Sequence, residues 1–224
     1  MTDRNPLAVS SVASVLAGLL AIWFVATSSL QRNALLVAAL GLAGVGIGIR
    51  LARYDHRLVG AILGAGGLGG LAVAFSRLGR GSLAQQLEFY PGVIGLLVLT
   101  AGLAPVYRKY ERPYVTVGTA LVFVSVVTAG VVQSATIWNL LAGGVATVVA
   151  WDLGEQAINL RNHVGGDART WPVELTHASA AAAVGGGAMF LAIFVENANV
   201  TGVPLAGLGV MLGAAVVLTT ALYN

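Results

Sequence analysis

The sequence contains no cysteine and very little charge. Without cysteine, disulfides, thiolate catalysis and cysteine-ligated metal sites are excluded. Only 9% of the 224 residues are Asp, Glu, Lys or Arg, whereas a soluble domain carries roughly 25% charged residues. So few charges cannot cover a surface that faces water. With 57% hydrophobic residues and a mean hydropathy of +0.85, the composition predicts an integral membrane protein.

Long polar segments are also missing, which excludes a separate soluble domain. The longest segments between the apolar runs are Ser76–Tyr90 and Asp152–Pro172. At about fifteen and twenty residues, they are too short to enclose a hydrophobic core. The first is expected to hold a short interfacial helix, with Leu83, Leu87 and Tyr90 resting on the membrane. Basic residues lie between apolar runs rather than in one patch, so no nucleic-acid partner is expected.

Apolar runs dominate what remains. A helix needs about 20 such residues to cross a bilayer, and helices satisfy their own backbone groups in lipid. The sequence therefore predicts an all-α, polytopic helix bundle in the cell membrane, a single transmembrane domain (1–224) with about eight spans. The predicted spans are Leu7–Ser28, Asn33–Ile49, Leu58–Phe75, Pro91–Tyr107, Tyr114–Val132, Ala135–Trp151, Val173–Val195 and Val203–Tyr223.

The distribution of basic residues predicts the orientation. With eight spans and both termini cytoplasmic, nine of the basic residues lie inside and three outside, which agrees with the positive-inside rule. The outer three are Arg32, Arg77 and Arg80. Fusing the fifth and sixth spans, which only Gln133 and Ser134 separate, would weaken this bias. A tight hairpin is therefore predicted there.

The eight spans make four consecutive two-helix hairpins. Two segments that open spans, Arg53–Ala61 and Lys109–Ala120, share the order basic, Tyr, acid, basic, with their tyrosines 56 residues apart. An internal duplication is one interpretation. The other is that this order is ordinary at a cytoplasmic interface, where tyrosine is common.

Glycine-rich runs at Gly41–Gly48 and Gly60–Gly70 resemble dinucleotide-binding fingerprints in spacing only. That fingerprint requires a preceding strand and a soluble βαβ unit, whereas these glycines lie inside apolar spans. Their small-xxx-small spacing, repeated at Gly209 and Gly213, instead predicts close helix packing of spans two, three, seven and eight.

The stretch from Trp151 to His177 holds the main concentration of polar residues. Span six is predicted to continue past Trp151 as an amphipathic helix ending near Gly165, because the polar residues recur at spacings of three and four. Glu174 and His177 follow at the start of span seven. The candidate polar or docking residues are Asp152, Glu155, Asn159, His163, Glu174 and His177.

Three interpretations of this stretch stay open. It is a solvated helix face on the cytoplasmic surface, a docking surface for a soluble partner, or a metal or proton site. The third rests on the Glu-x-x-His pair Glu174/His177, with Asp152 and Glu155 to complete it, but di-metal bundles use two such pairs. No catalytic, cofactor-binding or metal-ligating residue is assigned, and no cofactor is expected.

Ionisable residues near the middle of the spans are almost absent, which counts against a pump or an ion-coupled carrier. Protease motifs are absent as well. The favoured hypothesis is a non-enzymatic membrane subunit or scaffold whose 152–172 connection docks a soluble partner. The alternatives are a transporter or channel for an uncharged or lipid-like solute, lined by Gly, Ser and Thr, and a metal-dependent membrane enzyme.

The segment WDLGEQAINLRNHVGGDARTWPVELTHASAAAAVGGGA, from Trp151 to Ala188, resembles a family of small uncharacterised membrane proteins from haloarchaea. The resemblance covers the Trp-Asp-Leu-Gly-Glu turn and the Glu-Leu-x-His start of the next span. It implies a gene neighbourhood with MoxR-type AAA ATPases, and therefore a cytoplasmic AAA ATPase or other membrane subunits as partners. It implies no known activity.

The predicted topology can be tested with single cysteines in the cysteine-free chain. Cysteines at His56, Lys109 and His163 are expected to be shielded from an external membrane-impermeant thiol reagent. Cysteines at Gln85 and Asn199 are expected to react. External labelling at His163 would contradict the eight-span count.

Overall fold

The chain folds into α-helices. The computed structural model describes residues 9–53, 56–104, 108–132, 135–163 and 170–197, and no strand occurs among them. The all-α prediction is thus confirmed for this part of the chain. The helices are α1 (Val9–Val25), α2 (Ser29–Arg53), α3 (Arg57–Leu78), α4 (Leu83–Leu103), α5 (Glu111–Val132), α6 (Ile137–His163) and α7 (Trp171–Asn197), with a 3-10 turn at Arg108–Tyr110.

Two compact units divide the chain, Met1–Gly186 and Gly187–Asn224. Helices α1 to α6 and most of α7 belong to the first unit. Of the second, the structure describes residues 187–197, the last part of α7. The predicted eighth span, Val203–Tyr223, lies outside the described residues.

Six of the described helices, α2 to α7, are long and apolar enough to cross a membrane. α1, at 17 residues, is shorter. Large apolar side chains point outward along these helices, as lipid-facing residues do: Leu40 is 75% exposed, Leu58 76% and Val131 80%. In water such a surface would be unusual for a monomer.

The sixth helix continues past Trp151, as the sequence predicts: α6 is one helix of 27 residues ending at His163. At 1.5 Å per residue it is about 40 Å long, about 10 Å more than the hydrocarbon core of a bilayer. The break between the fifth and sixth spans is also confirmed, since α5 ends at Val132 and α6 begins at Ile137.

The start of the fourth helix differs from the prediction. α4 begins at Leu83 and contains Pro91, which the sequence analysis placed at the helix start. The reason is a capping box, in which the Ser82 side chain accepts from the Gln85 amide and the Gln85 side chain accepts from the Ser82 amide. The short helix expected within Ser76–Tyr90 is thus the first part of α4, and only residues 79–82 separate α3 from α4.

Helix pairing also departs from consecutive hairpins. The most extensive packing joins α2 to α3 and α4 to α5, and α1 packs mainly on α6 rather than on its neighbour α2. In the α2–α3 pair and in the α4–α5 pair, the two helix backbones contact each other at glycine residues. A Cβ atom added to Gly67 would lie 2.5 Å from the carbonyl oxygen of Gly41, and one added to Gly60 would lie 2.5 Å from the amide nitrogen of Ala52.

The predicted small-xxx-small spacing identifies the right helix, α3, but only part of the right face. A Cβ on Gly48 would lie 2.5 Å from the Gly64 nitrogen, yet one on Gly64 or Gly66 would meet nothing within 4 Å. A Cβ would thus be blocked most severely at Gly60 and Gly67, two turns apart, while Gly64 meets α2 through its backbone and a Cβ on Gly70 would lie 3.3 Å from the Gly41 Cα atom. Gly209 and Gly213 lie outside the described residues.

Gly95 is expected to be essential for the α4–α5 contact. A Cβ there would lie 2.5 Å from the Gly118 carbonyl oxygen, so Gly95→Ala must push two backbones apart, at a cost of about 1–3 kcal/mol. We expect a lower thermal unfolding midpoint for the purified protein in mild detergent. Gly144→Ala is the matched control, since its Cβ would meet nothing within 4 Å. Equal midpoints for the two variants would contradict the backbone-contact interpretation.

Candidate functional site

Two long-range hydrogen bonds show which helix ends lie together. The Ser10 amide at the start of α1 donates to Glu174 at the start of α7, and Arg161 near the end of α6 donates to the Leu103 carbonyl at the end of α4. We call this the Asp152 end of the bundle. The starts of α2 and α4 lie at the opposite end, which we call the Glu88 end.

Asp152 and His177 form a pair between α6 and α7. The His177 Nε2 atom lies 2.8 Å from Asp152 Oδ2, and the two side chains are 36% and 41% exposed. The contact carries a full ion pair when the imidazole is protonated. Exposed pairs of this kind contribute little to stability, so both groups remain available to an incoming partner.

Arg112 links α5 to the same face of α6. Its Nη2 donates to Asn159 Oδ1 at 2.6 Å, and its Nε lies 3.6 Å from Glu155 Oε2. The Arg112 side chain is 59% exposed and that of Glu155 only 22%. The guanidinium therefore covers the carboxylate, and the sequence analysis did not include Arg112 among the candidates.

Behind this surface lies a buried ion pair. Arg161 Nη1 lies 3.3 Å from Glu111 Oε1, with side chains 10% and 4% exposed, in a geometry that is not that of a hydrogen bond. Arg161 Nη2 also donates to the Leu103 carbonyl at 3.2 Å. The pair joins the adjoining ends of α4, α5 and α6, and so it holds the Asp152 end together.

Glu174 is a structural residue. Its side chain is almost completely buried, Oε2 accepts from the Ser10 amide at 2.7 Å, and Oε1 accepts from the Thr170 hydroxyl at 2.7 Å. Ser10 is the second residue of α1, and the first four amides of a helix have no partner within it. A carboxylate there is also favoured by the helix dipole. Glu174 thus caps another helix as well as contacting its own first turn.

The six predicted residues are therefore placed in separate contacts rather than in one cluster. Asp152 meets His177, Glu155 and Asn159 share Arg112, and Glu174 binds Ser10. His163 is exposed, with Nδ1 2.9 Å from the Asn159 carbonyl of its own helix. In the described ranges no group of three His, Asp or Glu side chains is placed to hold a metal ion.

The Glu88 end holds a buried acid that the sequence analysis missed. Glu88 of α4 is fully buried and accepts from Gln31 Nε2 of α2 at 3.3 Å. The sequence analysis considered acids near the middle of the spans, whereas Glu88 lies in the second turn of α4. Glu88 was left outside the predicted spans because the fourth span was started at Pro91. The capping-box pattern Ser82-x-x-Gln85 was the available signal, because it moves the helix start to Leu83 and Glu88 into the helix.

Ser125 of α5 binds the backbone of the same residue, Glu88. Its hydroxyl donates to the Glu88 carbonyl oxygen, and a Cβ on Gly92, four residues further along α4, would lie 2.7 Å from that hydroxyl. The missing side chain at Gly92 therefore gives Ser125 access to the backbone of α4.

Comparison with known protein families gives one finding. Residues 65–219, more than half of the chain, match the family of unknown function DUF7519. The chain belongs to the DUF7519 family. The matched range includes α4 to α7 with the whole Asp152–His177 region, so the expectation of an uncharacterised family is confirmed. The comparisons with curated proteins and with solved structures gave no match.

Glu174 is expected to matter for stability in this DUF7519 protein. Glu174→Ala leaves the buried Ser10 amide without its acceptor, which costs about 1–3 kcal/mol. Glu174→Gln keeps an acceptor oxygen and is expected to lose less. The measurement is thermal unfolding in detergent, with the exposed Asp152→Ala as a control that changes little. A Glu174→Ala variant as stable as the wild type would show that another group binds the Ser10 amide.

Proposed function

We propose that the protein is a non-enzymatic, multi-pass cell-membrane subunit whose Asp152 end docks a soluble cytoplasmic partner. The cytoplasmic assignment follows the excess of basic residues at this end in the eight-span arrangement. The docking surface consists of the side chains of Arg112, Asp152, Glu155, Asn159 and His177 together with the connection 152–172, of which the structure describes 152–163 and 170–172.

The observation that supports docking is an exposed polar surface whose side chains are already held by one another. Arg112 fixes Glu155 and Asn159, and His177 fixes Asp152. Ordering loose side chains is part of the cost of association, so groups held in advance bind at lower cost. Because exposed ion pairs add little to folding stability, this arrangement is better accounted for by recognition than by stability.

The hydroxyl groups of the spans give less support to a transporter lined by Ser and Thr. The described threonines with bonded hydroxyls in α4 to α6 donate to a carbonyl oxygen of their own helix: Thr100, Thr119, Thr128 and Thr147. A hydroxyl bonded in this way has already used its donor. A solute moving along a path lined by these threonines would therefore find hydroxyl groups that can accept a hydrogen bond but not donate one.

The first partner to test is a AAA ATPase. This choice rests on the resemblance of the Trp151–Ala188 segment to haloarchaeal proteins encoded near MoxR-type ATPases. A soluble ATPase would meet a membrane subunit at its cytoplasmic end, where the polar surface lies in the proposed orientation. Membership of the DUF7519 family supplies no activity of its own.

The test is affinity purification in mild detergent from the native host, followed by mass spectrometry. A soluble protein is expected in stoichiometric amount with the wild type. The double variant Asp152→Ala/Glu155→Ala is expected to lose it at least several-fold, because both acids then vanish from the surface. Arg112→Ala is expected to weaken recovery less, since it releases Glu155 and Asn159 without removing them.

The matched control is Arg77→Ala/Arg80→Ala, which removes two exposed charges at the Glu88 end and is expected to leave recovery unchanged. Equal recovery from the wild type and the Asp152/Glu155 variant would contradict the proposed surface. A wild type that purifies alone would contradict docking, and solute flux in proteoliposomes would then be the next measurement.

A further inference from the structure

The carboxyl group of Glu88 has no role in the surface at the other end of the bundle. Its Oε2 accepts from Gln31, but Oε1 has no hydrogen-bond partner among the described residues, and the side chain is fully buried. A buried carboxylate is costly unless it is paired and hydrogen-bonded. An ionisable group inside a membrane span is a functional candidate for this reason.

Gln31 presents a donor to this carboxyl group because its own orientation is fixed. Its side-chain Oε1 accepts from the backbone amides of Thr27 and Ser28 at 3.0 and 3.1 Å. Its backbone amide donates to the Ser28 hydroxyl oxygen at 3.2 Å. This is a capping box at the start of α2. Rotating the Gln31 amide would turn its NH2 group towards two N–H donors, so Nε2 stays directed at Glu88.

The basic side chains at this end are directed elsewhere. Arg32 Nε donates to the Ala26 carbonyl at 3.1 Å, and its guanidinium lies 5.6 Å from the centre of the Trp23 ring. Arg77 and Arg80 line an open cavity of about 400 Å³, whose other lining residues are Ser29, Leu30 and Asn33. The ion pairs of the described residues do not include Glu88.

The other helices packed against α4 bring no charge to Glu88. α1 carries no ionisable residue, and Tyr90 of α4 packs its ring on Phe75. The remaining ionisable residues of the described parts of α5 and α6 lie towards the Asp152 end: Glu111, Arg112, Tyr114, Asp152, Glu155, Arg161 and His163. No cation on the described protein therefore balances a Glu88 carboxylate.

We propose that Glu88 is a buried proton-binding site, with the proton on Oε1 and the Gln31 amide donating to Oε2. A hard metal cation needs about six or more oxygen ligands, whereas here Gln31 turns a donor to the site and one carboxyl oxygen is open. A proton needs only that oxygen. In the neutral form the acid can be buried between α2 and α4, and loss of the proton creates a charge that this contact cannot hold.

The first test is infrared spectroscopy of the full-length protein in lipid at neutral pH. The C=O stretching band of a protonated carboxyl group is expected in the wild type and absent from Glu88→Gln. Glu88→Gln should keep the fold, since a neutral amide replaces a neutral acid of the same shape. Absence of that band from a folded wild-type protein would overturn the proposal.

The second test locates the proton with dicyclohexylcarbodiimide, which reacts with protonated carboxyl groups in apolar surroundings. The acid proton goes to one carbodiimide nitrogen and the carboxyl oxygen to the central carbon. The acyl group then moves to nitrogen, and nothing is released. Mass spectrometry is expected to show labelling of Glu88 at least several-fold above Glu111 and Glu174. Both are also buried, but Glu111 is ion-paired with Arg161 and Glu174 accepts from the Ser10 amide.

Labelling is repeated in sodium chloride and in choline chloride at equal ionic strength, with Glu88→Gln as the blank. Equal labelling in the two salts is expected for a proton site. Protection by sodium would overturn the proposal, because a metal cation would then be the ligand. Neither measurement depends on a bound partner or on the exposed side chains of the docking surface, so failure here and failure of the docking proposal are distinguishable.

Discussion

The contact of one helix backbone with another through glycine is the constraint on which the bundle depends. In lipid, the apolar side chains gain nothing by leaving the solvent, so helices associate through close packing and polar bonds. Gly41 and Gly67 bring α2 and α3 together, and Gly95 and Gly118 do the same for α4 and α5. The pairing of the helices follows from which faces lack side chains, and chain order alone does not determine it.

Close approach also makes interhelical bonds to the backbone possible. Ser125 donates to the Glu88 carbonyl beside Gly92, and Ser14 of α1 donates to the Ala150 carbonyl beside Gly154 of α6. In both cases the glycine lies four residues after the acceptor, on the turn that a side chain would otherwise cover. The same small-residue rule thus accounts for the α4–α5 contact and for the pairing of α1 with α6.

Much of the fold is readable from the sequence because long apolar runs have one structural outcome in lipid. The runs predicted the first seven helices and the break before Ile137, and the polar spacing predicted the extension of α6 past Trp151; the described residues contain all of these. The start of α4 was missed because the apolar run begins at Pro91, whereas the more polar residues from Leu83 onwards belong to the same helix.

The candidate site was less predictable, and the reason is tertiary. The helical spacing that grouped Asp152, Glu155 and Asn159 is local, and α6 does present them together. Their partners are not local: Arg112 comes from α5 and His177 from α7. Glu174 and His177, three residues apart, seemed to be one motif, yet they contact different helices. Spacing along one helix cannot predict which neighbour each side chain meets.

The hydrogen bond between Ser10 and Glu174 also bears on the order in which the parts of the fold can form. The two residues are 164 positions apart in the chain, so α1 leaves the ribosome long before its capping carboxylate has been synthesised. Until then the first turn of α1 must bind water or lipid headgroups instead. The start of α1 is therefore completed only after α7 has been made, and a chain that stops before α7 would lack the group that binds the Ser10 amide.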